Sequence, residues 1–195
     1  MALAVAAAGL LAHLVVLVVL GFAAAIFLLQ FFRDPARTPE GNEDVIVSPA
    51  DGTVLSADPA PEAPAGASRR ISIFMSVFNC HVNRAPIGGR VTHYAYSPGA
   101  KLVAYDAKAS LTNEQNRITL TGPRGAVTFK QIAGVLARRI VFYPRLGQDL
   151  ARAERVGMIR FGSRVDLFVP DGADLLVRAG DKVKAGHTGV ARWKD

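Results

Sequence analysis

From residue 2 to residue 32 the chain carries no Asp, Glu, Lys or Arg. A helix of that run would be ~46 Å long at ~1.5 Å per residue, more than the ~30 Å core of a bilayer requires, so residues 1–32 read as a membrane anchor. Gly9 and Gly21 leave two forms open: one tilted helix, or a shallow helical hairpin that does not cross. A cleaved signal peptide fits less well, because no positive side chain precedes the run and the run outlasts a normal signal core. His13 inside it reads as a residue tolerated near an interface rather than a functional one. Arg33 and Arg37 follow directly, which by the positive-inside tendency places the rest of the chain on the cytoplasmic face of the cell membrane.

The chain has 195 residues, half of them hydrophobic, which leaves room for one compact domain beyond the anchor. Its one cysteine, Cys80, excludes an internal disulfide and a Cys-based zinc framework. The histidines at 13, 81, 93 and 187 show no paired metal spacing, so no metal is expected. The net charge of +7 is scattered, with only short pairs such as Arg69-Arg70 and Arg138-Arg139. An anionic lipid surface accounts for it, and nucleic acid is not expected as a partner.

Residues 33–44, with Pro35, Pro39 and Gly41 and no apolar periodicity, read as a linker, and residues 45–195 as the soluble domain. Short β-type runs alternate there with turns. Val45–Val47 leads to the turn signal Asp51-Gly52, and residues 71–78 form a buried-strand pattern that delivers Asn79-Cys80-His81-Val82-Asn83-Arg84 at its end. Residues 90–96 alternate like a strand, and Gly122-Pro123-Arg124-Gly125 closes a hairpin between 118–120 and 126–133. Residues 58–68 and 101–111 read as loops and 146–153 as one short helix. There are too few helical periods for a doubly wound α/β fold. The expected class is mainly β, a bent β-sandwich resembling a barrel-sandwich hybrid, with an N-terminal membrane helix or helical hairpin.

Residues 157–166, Gly-Met-Ile-Arg-Phe-Gly-Ser-Arg-Val-Asp, set the pair Gly162-Ser163 between two strand patterns. Alone, Gly-Ser is a bend or bulge. It also permits an uncommon reaction, since a serine hydroxyl can attack a glycine carbonyl that has no side chain to block the approach and tolerates distorted dihedrals. The peptide becomes an ester, removal of the Ser163 α-proton expels it by elimination, and hydrolysis of the enamine leaves a pyruvoyl group. On their own, Asp51 reads as a turn residue bonding its own backbone and His81 as a structural histidine after a strand. Cys80 reads as buried and inert. Arg84 reads equally as a surface or core-capping residue and as an anion ligand.

Together these motifs resemble the phosphatidylserine decarboxylase family in its short form, whose G-x-I-x-F-G-S-R-V-D pattern residues 157–166 match. The resemblance runs through Phe32-Arg33-Asp34-Pro35, Ser48-Pro49-Ala50-Asp51-Gly52 and Phe78-Asn79-Cys80-His81-Val82-Asn83-Arg84-Ala85-Pro86. It implies a proenzyme, a zymogen that cuts itself between Gly162 and Ser163 into a large β chain, 1–162, and a small α chain, 163–195, which stay associated. Ser163 would become a pyruvoyl cofactor, without metal. The implied activity is that of a lyase of phospholipid biosynthesis, converting phosphatidylserine in the membrane to phosphatidylethanolamine through a pyruvoyl Schiff base. Carried over residue by residue, Ser163 is the nucleophile and modified residue. Asp51 belongs to the self-cleavage machinery, where it orients and charge-stabilises a histidine, and His81 is the candidate proton acceptor and donor. Longer bacterial relatives carry a second histidine, as H-R-x-H-x-P, where this chain has Arg84. Its duties fall to His81 alone or are shared with His93 or His187, and Arg84 is a candidate ligand for the substrate phosphate or carboxylate. Assembly into a homo-oligomer stays open.

Residues 175–186, with Gly180-Asp181-Lys182-Val183-Lys184-Ala185-Gly186, look like a lipoyl- or biotinyl-type β-sandwich. They supply an alternative of another class, a membrane-anchored carrier or adaptor domain without self-cleavage. The chain lacks the Met-Lys-Met tripeptide that such carriers modify, and the Asp51, His81 and Gly162-Ser163 motifs would then have no purpose. The likeness is read as one of fold.

Overall fold

A computed structural model of the chain describes residues 1–99, 112–134, 139–160 and 162–194. It divides into two compact units, residues 1–33 and 34–195. The first is a single unbroken helix, α1 (Ala2–Phe31). Its Val5–Phe31 stretch has a mean hydropathy of 2.8, long and apolar enough to cross a membrane. Of the two forms left open by the glycines, the hairpin does not occur. An isolated glycine costs a helix only ~1 kcal/mol, too little to break an apolar run of this length.

The second unit is built of antiparallel strands. Eight form one sheet in the order β13 (Lys182–Val183), β2 (Gly52–Pro59), β3 (Ala67–Met75), β11 (Ser163–Pro170), β7 (Gly125–Ala133), β6 (Gln115–Gly122), β5 (Gly89–Ser97) and β9 (Asp149–Leu150). The sheet curls into a half-barrel. Two three-stranded sheets complete the unit: β1 (Val45–Val47), β14 (Gly189–Trp193) and β12 (Ala173–Leu175); and β4 (Val82–Arg84), β10 (Arg155–Ile159) and β8 (Ile140–Phe142). The mainly β, strongly bent class expected from the sequence is the one observed.

β11 lies in the interior of the large sheet and is buried along its whole length. Val165, Leu167 and Val169 alternate into the core beside Val54, Ile71, Ile73, Val127 and Phe129. Burying each such side chain contributes roughly 1.5–3 kcal/mol. The opposite face of β11 is buried too, but polar: Arg164 Nε donates to Asp166 Oδ1 at 2.6 Å, and its terminal nitrogen donates to Ser72 Oγ at 2.8 Å. Ser163 opens the strand, paired with Met75 at the end of β3 and Ala133 at the end of β7. A Cβ on Gly52 would lie 2.1 Å from Phe74 O, so glycine is what lets β2 start against β3. With Thr53 opposite Phe74, Asp51 then falls at the same end of the sheet as Ser163.

Two expectations are corrected. Residues 146–153 form no helix but β9 and turns, because their backbone groups bond to neighbouring segments: Gly147 N–H to Val91 O and Ala153 N–H to Ala85 O. Ala153 stands at φ 67° and Gly147 at φ 84°, outside helical space. The 58–68 loop is shorter than expected, since β2 runs to Pro59 and β3 starts at Ala67. Pro59 is tolerated because β2 lies next to the two-residue β13 and, among the described residues, has no partner on that side at this point. Residues 34–44 have no regular structure, yet they are fastened down: Asp34 pairs with Arg84 and Arg155, Glu40 accepts from Gly189 N–H at 3.0 Å, and His187 Nδ1 lies 2.6 Å from Thr38 O. The loop expected over 101–111 lies outside the described residues.

Candidate active site

Three separated stretches converge at the end of β11. The loop of Ser48 to Gly52 is held from both sides, with Arg84 N–H donating to Pro49 O at 3.0 Å and Gly186 N–H to Ser48 O at 2.8 Å. The turn after β3 closes on itself: Asn79 Oδ1 accepts from Ser76 N–H and Ser76 Oγ at 2.9 and 2.8 Å, while Asn79 N–H donates to Ser76 O at 2.9 Å. β11 supplies Ser163.

Gly162 has φ +61°, a left-handed conformation that glycine adopts without cost, and among the described residues no atom beyond its chain neighbours lies within 4 Å of where a Cβ would sit. Its carbonyl oxygen accepts a hydrogen bond from Gly134 N–H at 3.1 Å. That donor polarises the carbonyl and is positioned to hold the negative charge that attack on its carbon would create. Ser163 is fully buried, and its Oγ donates to Met75 Sδ at 3.3 Å. A thioether is a weak acceptor, so the hydroxyl is oriented without being tightly held.

Met75 Sδ also lies 3.8 Å from Asn83 Nδ2. Asn83 Oδ1 accepts from Gln131 Nε2 at 2.8 Å, and Gln131 Oε1 from Asn116 Nδ2 at 3.2 Å. A chain of buried amides therefore runs across the strands to the sulfur that Ser163 touches. Sequence reasoning missed Met75, Gln131 and Asn116 and assigned no role to Asn83. The available signal was Gln131, a polar residue inside the apolar run of β7.

His81 is fully buried, with Nδ1 3.0 Å from Asn79 O. A carbonyl can only accept, so Nδ1 carries the proton and the imidazole lone pair is on Nε2, as a general base requires. Asp51 is buried as well. Its Oδ1 accepts from Ala185 N–H at 2.7 Å and its Oδ2 lies 2.8 Å from Arg37, a residue of the fastened 34–44 segment. Among the described residues no imidazole bonds to Asp51, and neither Asp51 nor His81 bonds to Ser163 Oγ. The structure thus gathers the three at one sheet end without linking them as a hydrogen-bonded triad.

Arg84 does not point into open space. Its guanidinium donates to Asp34 Oδ1 at 2.6 Å, Ala153 O at 3.0 Å and Pro35 O at 3.1 Å. Cys80 is buried, as expected. His187 bonds Thr38 O and lies 3.3 Å from Glu40, and His93 sits on β5 in the far half of the sheet. Among the described residues no group of three His, Cys, Asp or Glu side chains could hold a metal ion.

Beside this cluster is a cavity of about 390 Å³ lined by Asp51, Gly52, Thr53, Ser76, Asn79, Lys182, Val183 and Lys184. A smaller one, about 90 Å³, lies between the β6–β7 turn and Trp193, at the opposite end of β7 from Ala133.

Residues 24–191 match the family model described as Phosphatidylserine decarboxylase. Curated relatives named phosphatidylserine decarboxylase proenzyme are similar over most of their length. That of Pelobacter propionicus is 47% identical over 169 residues, covering 86% of this chain and 77% of its own. That of Beijerinckia indica is 48% identical over 177 residues, covering 88% and 76%. That of Trichlorobacter lovleyi is 48% identical over 168 residues, covering 86% and 77%.

Proposed function

The chain belongs to the phosphatidylserine decarboxylase family, and on that premise we propose that it is a proenzyme that cuts itself at Gly162-Ser163 and then decarboxylates phosphatidylserine to phosphatidylethanolamine. The observation that carries the reading is the geometry at the cut: Gly162 in a left-handed conformation, its carbonyl on Gly134 N–H, and the buried Ser163 hydroxyl next along the chain.

In maturation, Ser163 Oγ bonds to the Gly162 carbonyl carbon, the Gly162-Ser163 C–N bond breaks, and the proton lost by the hydroxyl ends on the freed amine. His81 Nε2 carries that proton, and Gly134 N–H stabilises the oxyanion. Asp51 acts by position: paired with Arg37 and bonded to Ala185 N–H, it fixes the Ser48–Gly52 loop at this sheet end. Loss of the Ser163 α-proton then expels the Gly162 carboxylate, and hydrolysis of the enamine releases ammonia and leaves residue 163 as a pyruvoyl group.

The pyruvoyl group supplies a carbonyl that takes up the substrate amine and accepts the electrons released as CO2 departs. Met75 and Ala133 flank it on β3 and β7, and His81 returns a proton to the carbon that loses CO2. The large chain 1–162 and small chain 163–195 stay together because β11 pairs with β3 and β7 along its length, β13 with β2, and β14 with β1. Arg33 and Arg37, directly after the apolar run, support a cytoplasmic-face reading by the positive-inside tendency. A carrier or adaptor would have no use for these features, and family membership sets that alternative aside.

The test is an intact mass and gel of the purified protein beside Ser163→Ala, with CO2 release from phosphatidylserine vesicles. Wild type is expected as two chains with activity and the variant as one inert chain. A variant cut at the same bond would remove the proposed chemistry.

A further inference from the structure

Lys182 and Lys184 lie on either side of Val183, whose side chain is buried in the core. Alternation along a strand then turns both lysines to the other face, where they line the 390 Å³ cavity. Among the described residues neither ammonium has an ion-pair partner. The one carboxylate on the cavity wall, Asp51, is already compensated by Arg37 at 2.8 Å and by Ala185 N–H. The cavity is therefore net cationic. It is also adjacent to the chemistry: Ser76 follows Met75, which touches Ser163 Oγ, and the carbonyl of Asn79 holds His81 Nδ1. Between Ser76 and Asn79 the same turn presents Phe78, 71% exposed.

Resting on the function proposed above, we infer that this cavity is the seat of the substrate head group, with Lys182 and Lys184 holding its phosphodiester. A volume of about 390 Å³ falls in the range of small-ligand sites. A serine phospholipid head group carries a phosphodiester, a carboxylate and an ammonium, a net single negative charge that two unpaired lysines attract. With the phosphate anchored at β13, the serine end of the head group passes round the end of the sheet, between Asp51 and Ser76, to bring its amine to residue 163 beside Met75. The apolar Phe78 at the rim favours an amphiphile over a free anion, because an exposed aromatic beside lysines suits the boundary between acyl chains and head groups.

The experiment uses the full-length protein in detergent and glycerophosphoserine, the head group without acyl chains, so that attraction to a bilayer plays no part. Calorimetric titration is run in the uncut Ser163→Ala background, so that no heat of turnover enters, with the lysine changes made in that same chain. Lys182→Ala/Lys184→Ala is expected to weaken binding about tenfold, and Lys182→Arg/Lys184→Arg to restore most of it. In turnover the alanine pair should raise KM for glycerophosphoserine while leaving KM for serine methyl ester, which lacks the phosphate, where it was. Equal binding with and without the alanine pair, or equal KM changes for both substrates, would overturn the assignment. Inorganic phosphate binding as tightly as glycerophosphoserine would overturn it in favour of a free-phosphate site. A wild-type chain that neither cuts nor releases CO2 would instead sink the proposed function, an outcome the titration distinguishes.

Discussion

Arg37 sets its guanidinium 2.8 Å from one oxygen of Asp51 and 3.2 Å from the other, so the segment that follows the apolar helix supplies the counter-charge for a carboxylate of the candidate site. Both side chains are largely buried, 14% and 9% exposed. Arg37→Ala leaves Asp51 in place with, among the described residues, the Ala185 N–H as its remaining partner. Removing one member of a buried pair costs more than the pair is worth, here about 3 kcal/mol. Denaturant unfolding of the uncut Ser163→Ala background should show that loss. In the active background Arg37→Ala and Asp51→Asn should each slow self-cleavage, and the double change should be no slower than the worse single one. Additive slowing would mean that the two residues act separately.

The two residues also differ in how far the sequence announced them. Asp51, His81 and Gly162-Ser163 each sit inside a contiguous motif, and the bent β class followed from short strand patterns with few helical periods. Arg37 was visible only as a charge beside an apolar run, because its partner lies elsewhere in the chain. Met75, Asn83, Gln131 and Asn116 form their chain only through strand register, a property of pairing across the sheet rather than of any one segment. Gly134 acts through a backbone N–H that every residue except proline has. The helix expected over 146–153 failed for a related reason, since its backbone partners come from residues far away in sequence.

Lys130 gives a pH-dependent prediction. It is buried on the polar face behind β11, 5.4 Å from the centre of the Phe168 ring, and burial holds its ammonium below the ordinary lysine value of 10.5, with the Arg117 charge adding to the effect. Asp166 and Glu62 oppose the shift without cancelling it. At neutral pH the group is charged in both folded and unfolded chains, so the desolvation cost is present in full. As pH rises through the lowered native value toward 10.5, the folded chain sheds its proton first and the cost falls. Lys130→Met should therefore stabilise by ~1 kcal/mol near pH 7, since Asp166 keeps Arg164. Thermal unfolding should show the gap to wild type narrowing at alkaline pH. A variant less stable than wild type near pH 7 would show that the ammonium is needed by Asp166.

Removing residues 1–32 should leave a chain that still matures, because the strands around Ser163 belong to the second unit. It should bind anionic vesicles more weakly and in a salt-dependent way. The helix contributes an apolar term that salt does not screen, whereas the excess of 23 Lys and Arg over 16 Asp and Glu contributes a screened one. Vesicle flotation at low and high salt separates them, and undiminished flotation of the truncated chain at high salt would show that attachment lies elsewhere.

His81 is the remaining residue with two jobs to separate. Its Nδ1–H on Asn79 O sets the tautomer with the lone pair on Nε2, the form that the proton transfers proposed for maturation and for turnover both require. Where longer relatives have a second histidine, this chain has Arg84, and that guanidinium is occupied by Asp34, Pro35 O and Ala153 O. His187 is held at Thr38 and Glu40. With neither able to take over as base, His81→Ala should remain one chain. His81→Gln should remain one chain too, because an amide can bond Asn79 O but cannot accept the serine proton, which separates loss of the base from loss of packing. A gel run beside reductive trapping of substrate decides between the jobs. A variant that is cut and traps substrate but releases little product would confine His81 to decarboxylation, and one that is cut with full turnover would exclude it from both.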